Sequence, residues 1–155
     1  AGPISKAEIL KNMGIQTIGF DKLNQLRTVN YFKTPEGIKA HMSKLADELK
    51  PKFDVVLNTL EKELAGTGLL TWTKPNGGYF VAVDTLEGCA KAIVAKAKEA
   101  GLIMTPAGAT FPYGNDPKDS NIRIAPSLPP VEELEQAIAV LCTCLKMAAL
   151  EKLGV

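Results

Sequence analysis

The chain has 155 residues, of which 46% are hydrophobic and 23% charged, and its formal net charge is +1. These values are typical of one globular domain, and the scattered lysines argue against a nucleic-acid or anionic-membrane surface. No apolar run approaches the ~20 residues that span a bilayer, and the N-terminus has no signal-peptide pattern. Three cysteines and one histidine predict neither a disulfide framework nor a zinc site, so we expect a reduced, cytoplasmic setting.

The first half of the chain is predicted to be helical. The expected helices cover residues 5–13, 21–32 and 35–64. The third helix has the clearest start, because Thr34 is a good N-cap and Pro35 suits the first helical position. Its apolar residues recur every three or four positions, and we expect it to bend at Pro51, which has no backbone donor.

The second half of the chain alternates strands and helices. Strands are expected over residues 69–73, 79–84, 102–105 and 121–125, and helices over residues 85–101, with Thr85 as N-cap, and from Pro129 and Pro130 onward. The segment KPNGG, residues 74–78, is predicted to be a hairpin turn, because strands rather than a helix N-terminus flank its glycines. The order predicts an α+β fold, in which a small, mostly antiparallel sheet packs against helices after a long N-terminal helix.

Arg123 is the most informative side chain. The chain has 18 basic residues, of which only Arg27 and Arg123 are arginine. In a strand with period two, Arg123 shares a face with Asn121 and Ala125, opposite to Ile122 and Ile124. Taken by itself, this position fits either an arginine that covers the solvent face of an edge strand or a site for an anionic ligand.

The long loop before the last strand is a second candidate. The segment TPAGATFPYGNDP, residues 105–117, combines three prolines, two glycines and two aromatic residues. Such a loop is either a shaped binding surface or an elaborate connection. His41 has no paired nucleophile in the sequence and is interpreted as a surface histidine.

Several segments together carry a resemblance to a known family. KPNGGYFVAVDT, GLIMTPAGATFPYGNDPKDSNIRIAPS and EELEQAIAVL resemble the C-terminal part of fold-type I aminotransferases, the aspartate aminotransferase-like superfamily. IQTIGFDKLNQLR and HMSKLADELKPKF resemble the branch known as MocR-like aminotransferases. The likeness implies a linker or helical segment at residues 1–33, followed by the aminotransferase small domain at residues 34–155.

The resemblance also implies roles for individual residues. In this family the arginine of the last strand binds the α-carboxylate of the substrate, which makes Arg123 the expected carboxylate clamp. Asn121, Phe111 and Pro106 are expected to line the entrance to that site. The family moves an amino group between an amino acid and a 2-oxo acid with pyridoxal phosphate as cofactor, and its full-length members are expected to be homodimers.

One part of the family's chemistry is not expected in this sequence. The cofactor lysine lies in a Ser-x-x-Lys segment followed by small residues, and PISK, ending at Lys6, has only a superficial likeness to it. We therefore expect an inactive small domain that works with the large domain of the same enzyme and supplies no catalytic residue or metal ligand itself. The alternatives are a stand-alone module of the same fold that binds carboxylates or regulates, and a pure interaction domain.

Overall fold

A computed structural model describes residues 5–154 of the chain. It divides the chain into two compact units, Ala1–Leu45 (the N-terminal unit) and Ala46–Val155 (the C-terminal unit). The elements in chain order are α1 (Lys6–Thr17), α2 (Lys22–Phe32), α3 (Pro35–Leu64), β1 (Leu70–Trp72), β2 (Val81–Thr85), α4 (Ala90–Glu99), a 3-10 turn (Pro112–Gly114), β3 (Asn121–Ile124) and α5 (Val131–Leu153). This content confirms the predicted α+β class.

The helices of the N-terminal unit begin at side-chain caps. Ser5 accepts a hydrogen bond from the backbone N–H of Glu8, and Asp21 accepts one from Asn24. The Thr34 hydroxyl accepts the N–H of Gly37, which confirms the predicted start of α3. None of residues 5–45 is buried, so local capping rather than a core defines these helices.

The sheet lies in the C-terminal unit and has the strand order β1-β2-β3, with both pairs antiparallel. Ile122 pairs with Val83 and Ile124 with Val81, and all four side chains are buried. Residues that face each other across an antiparallel pair point to the same side. The isoleucine layer therefore faces the core, as predicted, and Arg123 lies on the opposite face.

Three helices cover the core face of the sheet. The C-terminal part of α3 contributes Val56, Leu60 and Leu64, and α3 continues through Pro51 without interruption. Ile93 of α4 and Leu141 of α5 belong to the same cluster. No helix in residues 5–154 is long and apolar enough to cross a membrane.

Two predicted elements are wrong. Residues 102–105 do not form a strand: Ile103 is largely exposed, and Leu102 donates its N–H to Ala97 at the end of α4 rather than to a neighbouring strand. Thr85 does not cap α4, because it is the last residue of β2 and its hydroxyl donates to the carbonyl of Ser120. α4 begins five residues later, at Ala90.

Candidate functional site

Arg123 lies in the middle of β3, opposite Ala82, on the sheet face that the core helices do not cover. Its side chain is half-buried, and the guanidinium carbon lies 4.3 Å from the centroid of the Phe80 ring. This distance is in the range of a cation–π contact, which holds the guanidinium plane while leaving its N–H groups free to donate.

The guanidinium of Arg123 has an unused donor. Its Nε is buried and has no hydrogen-bond partner among residues 5–154. Every side-chain ion pair within the same residues joins a lysine to a carboxylate, so none involves Arg123. A buried, unpaired donor costs free energy unless an acceptor reaches it, and a carboxylate matches the arginine fork with two parallel hydrogen bonds.

Asn121 lies on the same face as Arg123, two residues earlier in β3. Its amide nitrogen donates to Asp84 at 2.6 Å, and its amide oxygen accepts from the hydroxyl of Thr110 at 2.7 Å. The side chain therefore joins β2 to the long loop. Within the chain it acts as a bridge beside Arg123, with both of its polar atoms already engaged.

Asp116 anchors the end of the loop to the start of β3. One carboxylate oxygen accepts the N–H groups of Ser120 and Asn121 at 2.8 and 2.9 Å, and the other accepts that of Lys118 at 3.0 Å. The bond from Asn121, supported by those from Ser120 and Lys118, lowers the pKa of Asp116 against the opposing effect of burial. Asp116 is the only buried charged residue in the part of the chain that the structure describes.

Sequence reasoning missed Asp116. The dipeptide Asp116-Pro117 indicates a turn, but a turn signal does not show whether the carboxylate faces solvent or the backbone. The available signal was the residue type, because an aspartate in a turn often accepts hydrogen bonds from backbone N–H groups a few residues later.

The segment from Asp116 to Asn121 also caps the N-terminus of α4. The Asp119 carboxylate accepts the N–H of Lys91, and its carbonyl accepts that of Ala90. The cap that the sequence assigned to Thr85 therefore comes from Asp119, a residue distant in the sequence. The loop end, α4 and β3 are thus joined through one short segment.

Gly108 allows the loop to fold on itself. Its φ is +82°, a conformation that side-chain-bearing residues rarely adopt, and a Cβ there would overlap the carbonyl oxygen of Gly114. The backbone nitrogen of Asp116 lies 3.5 Å from the same Cβ position. The middle of the loop is therefore packed against its own end.

The other two predicted site residues lie in the same loop. Pro106 is exposed and Phe111 is half-buried. A cavity of about 180 Å³ lies beside the edge of β3, with Arg123, Thr105 and apolar residues of α5 in its lining. Of the four predicted site residues, only Arg123 lines this cavity. The lining does not include Pro106, Phe111 or Asn121.

The cavity does not fit pyridoxal phosphate. This cofactor is held through a lysine amine and groups that bind its phosphate and ring nitrogen. The lining contains one cationic side chain, Arg123, and no lysine. Lys6 is exposed at the first position of α1 in the N-terminal unit, and Pro3 and Ile4 of its segment lie outside the described residues. No group of three potential metal ligands occurs within residues 5–154.

Known proteins are similar to this chain in both sequence and architecture. Residues 3–155 match the family described as aspartate amino-transferase. An aspartate aminotransferase of Corynebacterium glutamicum is 48% identical over 138 residues, which cover 89% of this chain and 32% of that protein. The crystal structure of an aspartate transaminase from the same species has a TM-score of 0.84 and 46% identity, and the match covers 92% of this chain and 34% of that one.

A more distant structure shows the same fold. LysN, an α-aminoadipate aminotransferase from Thermus thermophilus complexed with N-(5'-phosphopyridoxyl)-L-leucine, has a TM-score of 0.71 at 21% identity. That match covers 96% of this chain and 37% of LysN. The chain spans about one third of the length of the relatives it matches.

The antiparallel sheet, its helical cover and these matches define the class of protein, which is the C-terminal, small-domain part of fold-type I aminotransferases. The chain belongs to the aspartate aminotransferase family. The predicted superfamily is thereby confirmed, while its assignment to the MocR-like branch stays a prediction.

Proposed function

We propose that this chain supplies the carboxylate clamp of an aminotransferase that moves an amino group between an amino acid and a 2-oxo acid. The observation that carries the proposal is the half-buried guanidinium of Arg123, which has an unpaired Nε and no acidic partner among the described residues. Membership of the family supports a substrate that carries an α-carboxylate. The clamp is the contribution that this chain can make with its own side chains.

The chemistry of arginine suits this role better than that of lysine. The guanidinium stays charged at every relevant pH and donates two parallel hydrogen bonds to a carboxylate. Stacking on Phe80 limits the rotation of the guanidinium, so less conformational entropy is lost when the ligand binds. A carboxylate that leaves water for such a site needs this paired donor to offset its lost hydration.

The neighbouring residues would shape the entrance rather than bind the carboxylate. Asn121 bridges Asp84 and Thr110 beside Arg123, and the loop that contains Pro106 and Phe111 ends at the same strand. We propose that these residues hold the loop over the bound substrate. They would set the access to Arg123, and the substrate side chain would be selected elsewhere.

The cofactor belongs to the other part of the enzyme in this proposal. Pyridoxal phosphate would be held by the large domain, since the cavity of this chain lacks a lysine. Apolar side chains exposed on the N-terminal unit, among them Leu23 and Val29, support contact with that domain or with a second subunit of a homodimer. The three cysteines are buried and unpaired, which supports a reducing, cytoplasmic setting.

The proposal is tested by substituting Arg123 in the aminotransferase that contains this chain. Removal of one partner of a desolvated charge pair costs about 2–5 kcal/mol, so Arg123→Ala should reduce kcat/KM by roughly 30- to 5,000-fold. Arg123→Lys keeps the charge but not the fork, and it should recover only part of this loss. The rates of the amino-acid half-reaction and the melting temperature are measured for each variant.

Arg27→Ala is the matched control, because Arg27 is the other arginine of the chain and is exposed on α2. This variant should transaminate like the wild type. The clamp assignment is wrong if Arg123→Ala melts at a much lower temperature and yet transaminates normally once folded.

A further inference from the structure

We infer that Asp116 is a positioning residue for Arg123, which it orients through the start of β3 without contacting the substrate. The inference rests on the proposed function, because it assigns Asp116 a part in the geometry of the same clamp. Asp116 is 9% exposed and directs its carboxylate at the backbone rather than at another side chain.

The hydrogen bonds of Asp116 end at the start of the strand that carries Arg123. Asp116 accepts the N–H of Asn121, the first residue of β3, and Arg123 follows two residues later on the same face. Because the strand between them is nearly rigid, a shift at Asn121 moves the Cα of Arg123 with it. Two-point binding of a carboxylate loses much of its strength when the donor is displaced by about 1 Å.

The middle of the long loop is joined to the same end of β3. The Thr110 hydroxyl donates to the Asn121 side chain, and the backbone nitrogen of Asp116 lies 3.5 Å from the position that a Cβ would take at Gly108. The middle and the end of the loop therefore meet at the residues that Asp116 holds. Loss of the carboxylate is expected to release the loop and the start of β3 together.

A carboxylate is chemically required at this position. One oxygen of Asp116 accepts from Ser120 and Asn121, and the other accepts from Lys118. An asparagine has a single acceptor oxygen, and its NH₂ group would face at least one of these N–H donors. Asp116→Asn therefore keeps the size of the side chain but breaks the arrangement.

Asp119→Ala is a matched control within the same segment, because alanine removes the acceptor that caps α4. The Asp119 carboxylate bonds to Lys91 at the start of α4, not to β3. Its replacement should lower the melting temperature through the helix cap, while the position of Arg123 is unchanged. The two variants thus separate an effect on the stability of the fold from an effect on the position of Arg123.

The experiment uses the cofactor-loaded aminotransferase that contains this chain. The amino donor is L-aspartate or, if the wild type does not use it, the common amino acid that it converts fastest. We expect Asp116→Asn to raise KM by about 10- to 100-fold. The same variant should change kcat by less than about threefold, because ground-state binding rather than chemistry is affected. Asp119→Ala should leave KM unchanged.

The outcomes separate the inference from the proposal on which it rests. If Arg123→Lys binds substrate like the wild type, or if the wild type converts no amino acid, the proposed clamp fails and the inference fails with it. If Arg123→Lys is impaired but Asp116→Asn changes only the melting temperature, as Asp119→Ala does, then Asp116 is structural and the inference alone is overturned. Asp116→Glu, which keeps the charge but moves the carboxylate, is measured in the same way if Asp116→Asn does not fold.

Discussion

The two units of the chain use similar helices in different ways. In the N-terminal unit none of residues 5–45 is buried, whereas the C-terminal unit holds the whole core cluster from Val56 to Ala148. Among residues 5–154, more than half of the exposed large apolar side chains belong to the N-terminal unit, although it is much the shorter. The comparison shows that an amphipathic pattern predicts a helix but not what covers its apolar face.

The comparison also separates two sources of order. Helices α1 and α2 are defined by side-chain caps at Ser5 and Asp21, which contribute about 1 kcal/mol each. α4 has no such local cap and depends on Asp119 and on the apolar residues packed against α5. We therefore expect the C-terminal unit to unfold cooperatively and the N-terminal unit to contribute little to that transition.

The largest expected effect is on the core. Leu60 of α3 is fully buried, and Leu60→Ala should destabilise the C-terminal unit by about 2–5 kcal/mol through lost burial and the cavity left behind. Leu23→Ala, at a side chain that is 82% exposed in α2, should change stability by less than about 0.5 kcal/mol. Urea unfolding followed by the fluorescence of Trp72 measures both. Equal losses would show that the two units share one core.

A smaller loss is expected at the loop. Gly108→Ala forces a side-chain-bearing residue to a φ of +82°, which costs about 1–2 kcal/mol before the overlap with Gly114 is counted. Gly77→Ala is the control, because its Cβ would meet nothing within 4 Å and its φ is not positive. Thermal unfolding of both variants checks the prediction. A Gly108→Ala protein as stable as Gly77→Ala would mean that the loop is not packed on itself.

The next expected effect depends on pH. The pKa of Asp116 is lowered in the folded chain, so its contribution to stability is fully present above the ordinary aspartate pKa, about 3.9. That contribution is lost as the pH falls through the ordinary value toward the lowered one. The difference in urea midpoint between wild type and Asp116→Asn should therefore shrink below about pH 4. Glu63, whose pKa is also lowered, by Lys146, titrates in both proteins and cancels in the difference. A difference that is constant from pH 7 to pH 3 would contradict the assignment.

The smallest expected effect concerns the cofactor. The chain mixed with pyridoxal phosphate should retain no stoichiometric cofactor absorbance after dialysis, because the cavity beside β3 has no lysine. Lys6→Met should behave identically, since Lys6 is exposed on α1. A stable adduct that mass spectrometry maps to Lys6 would overturn the proposed division of roles between this chain and the large domain.

Much of the secondary structure was predictable from the sequence, because it depends on neighbours. The start of α3 at Thr34 and Pro35 follows from capping chemistry, and the hairpin after residue 69 follows from its turn residues. The strand predicted at residues 102–105 is wrong, since a short apolar run becomes a strand only when another backbone pairs with it.

For the candidate site, the sequence alone determined the face of Arg123, because alternation along a strand is a local property that Ile122 and Ile124 reveal. Only the tertiary structure decided that Asp116 is buried against the start of β3 and that Asp119, rather than Thr85, begins α4. Those contacts depend on the path of a loop that has no periodic pattern. The path depends on which backbone N–H groups still need an acceptor in the folded chain. That is decided only when distant segments have come together.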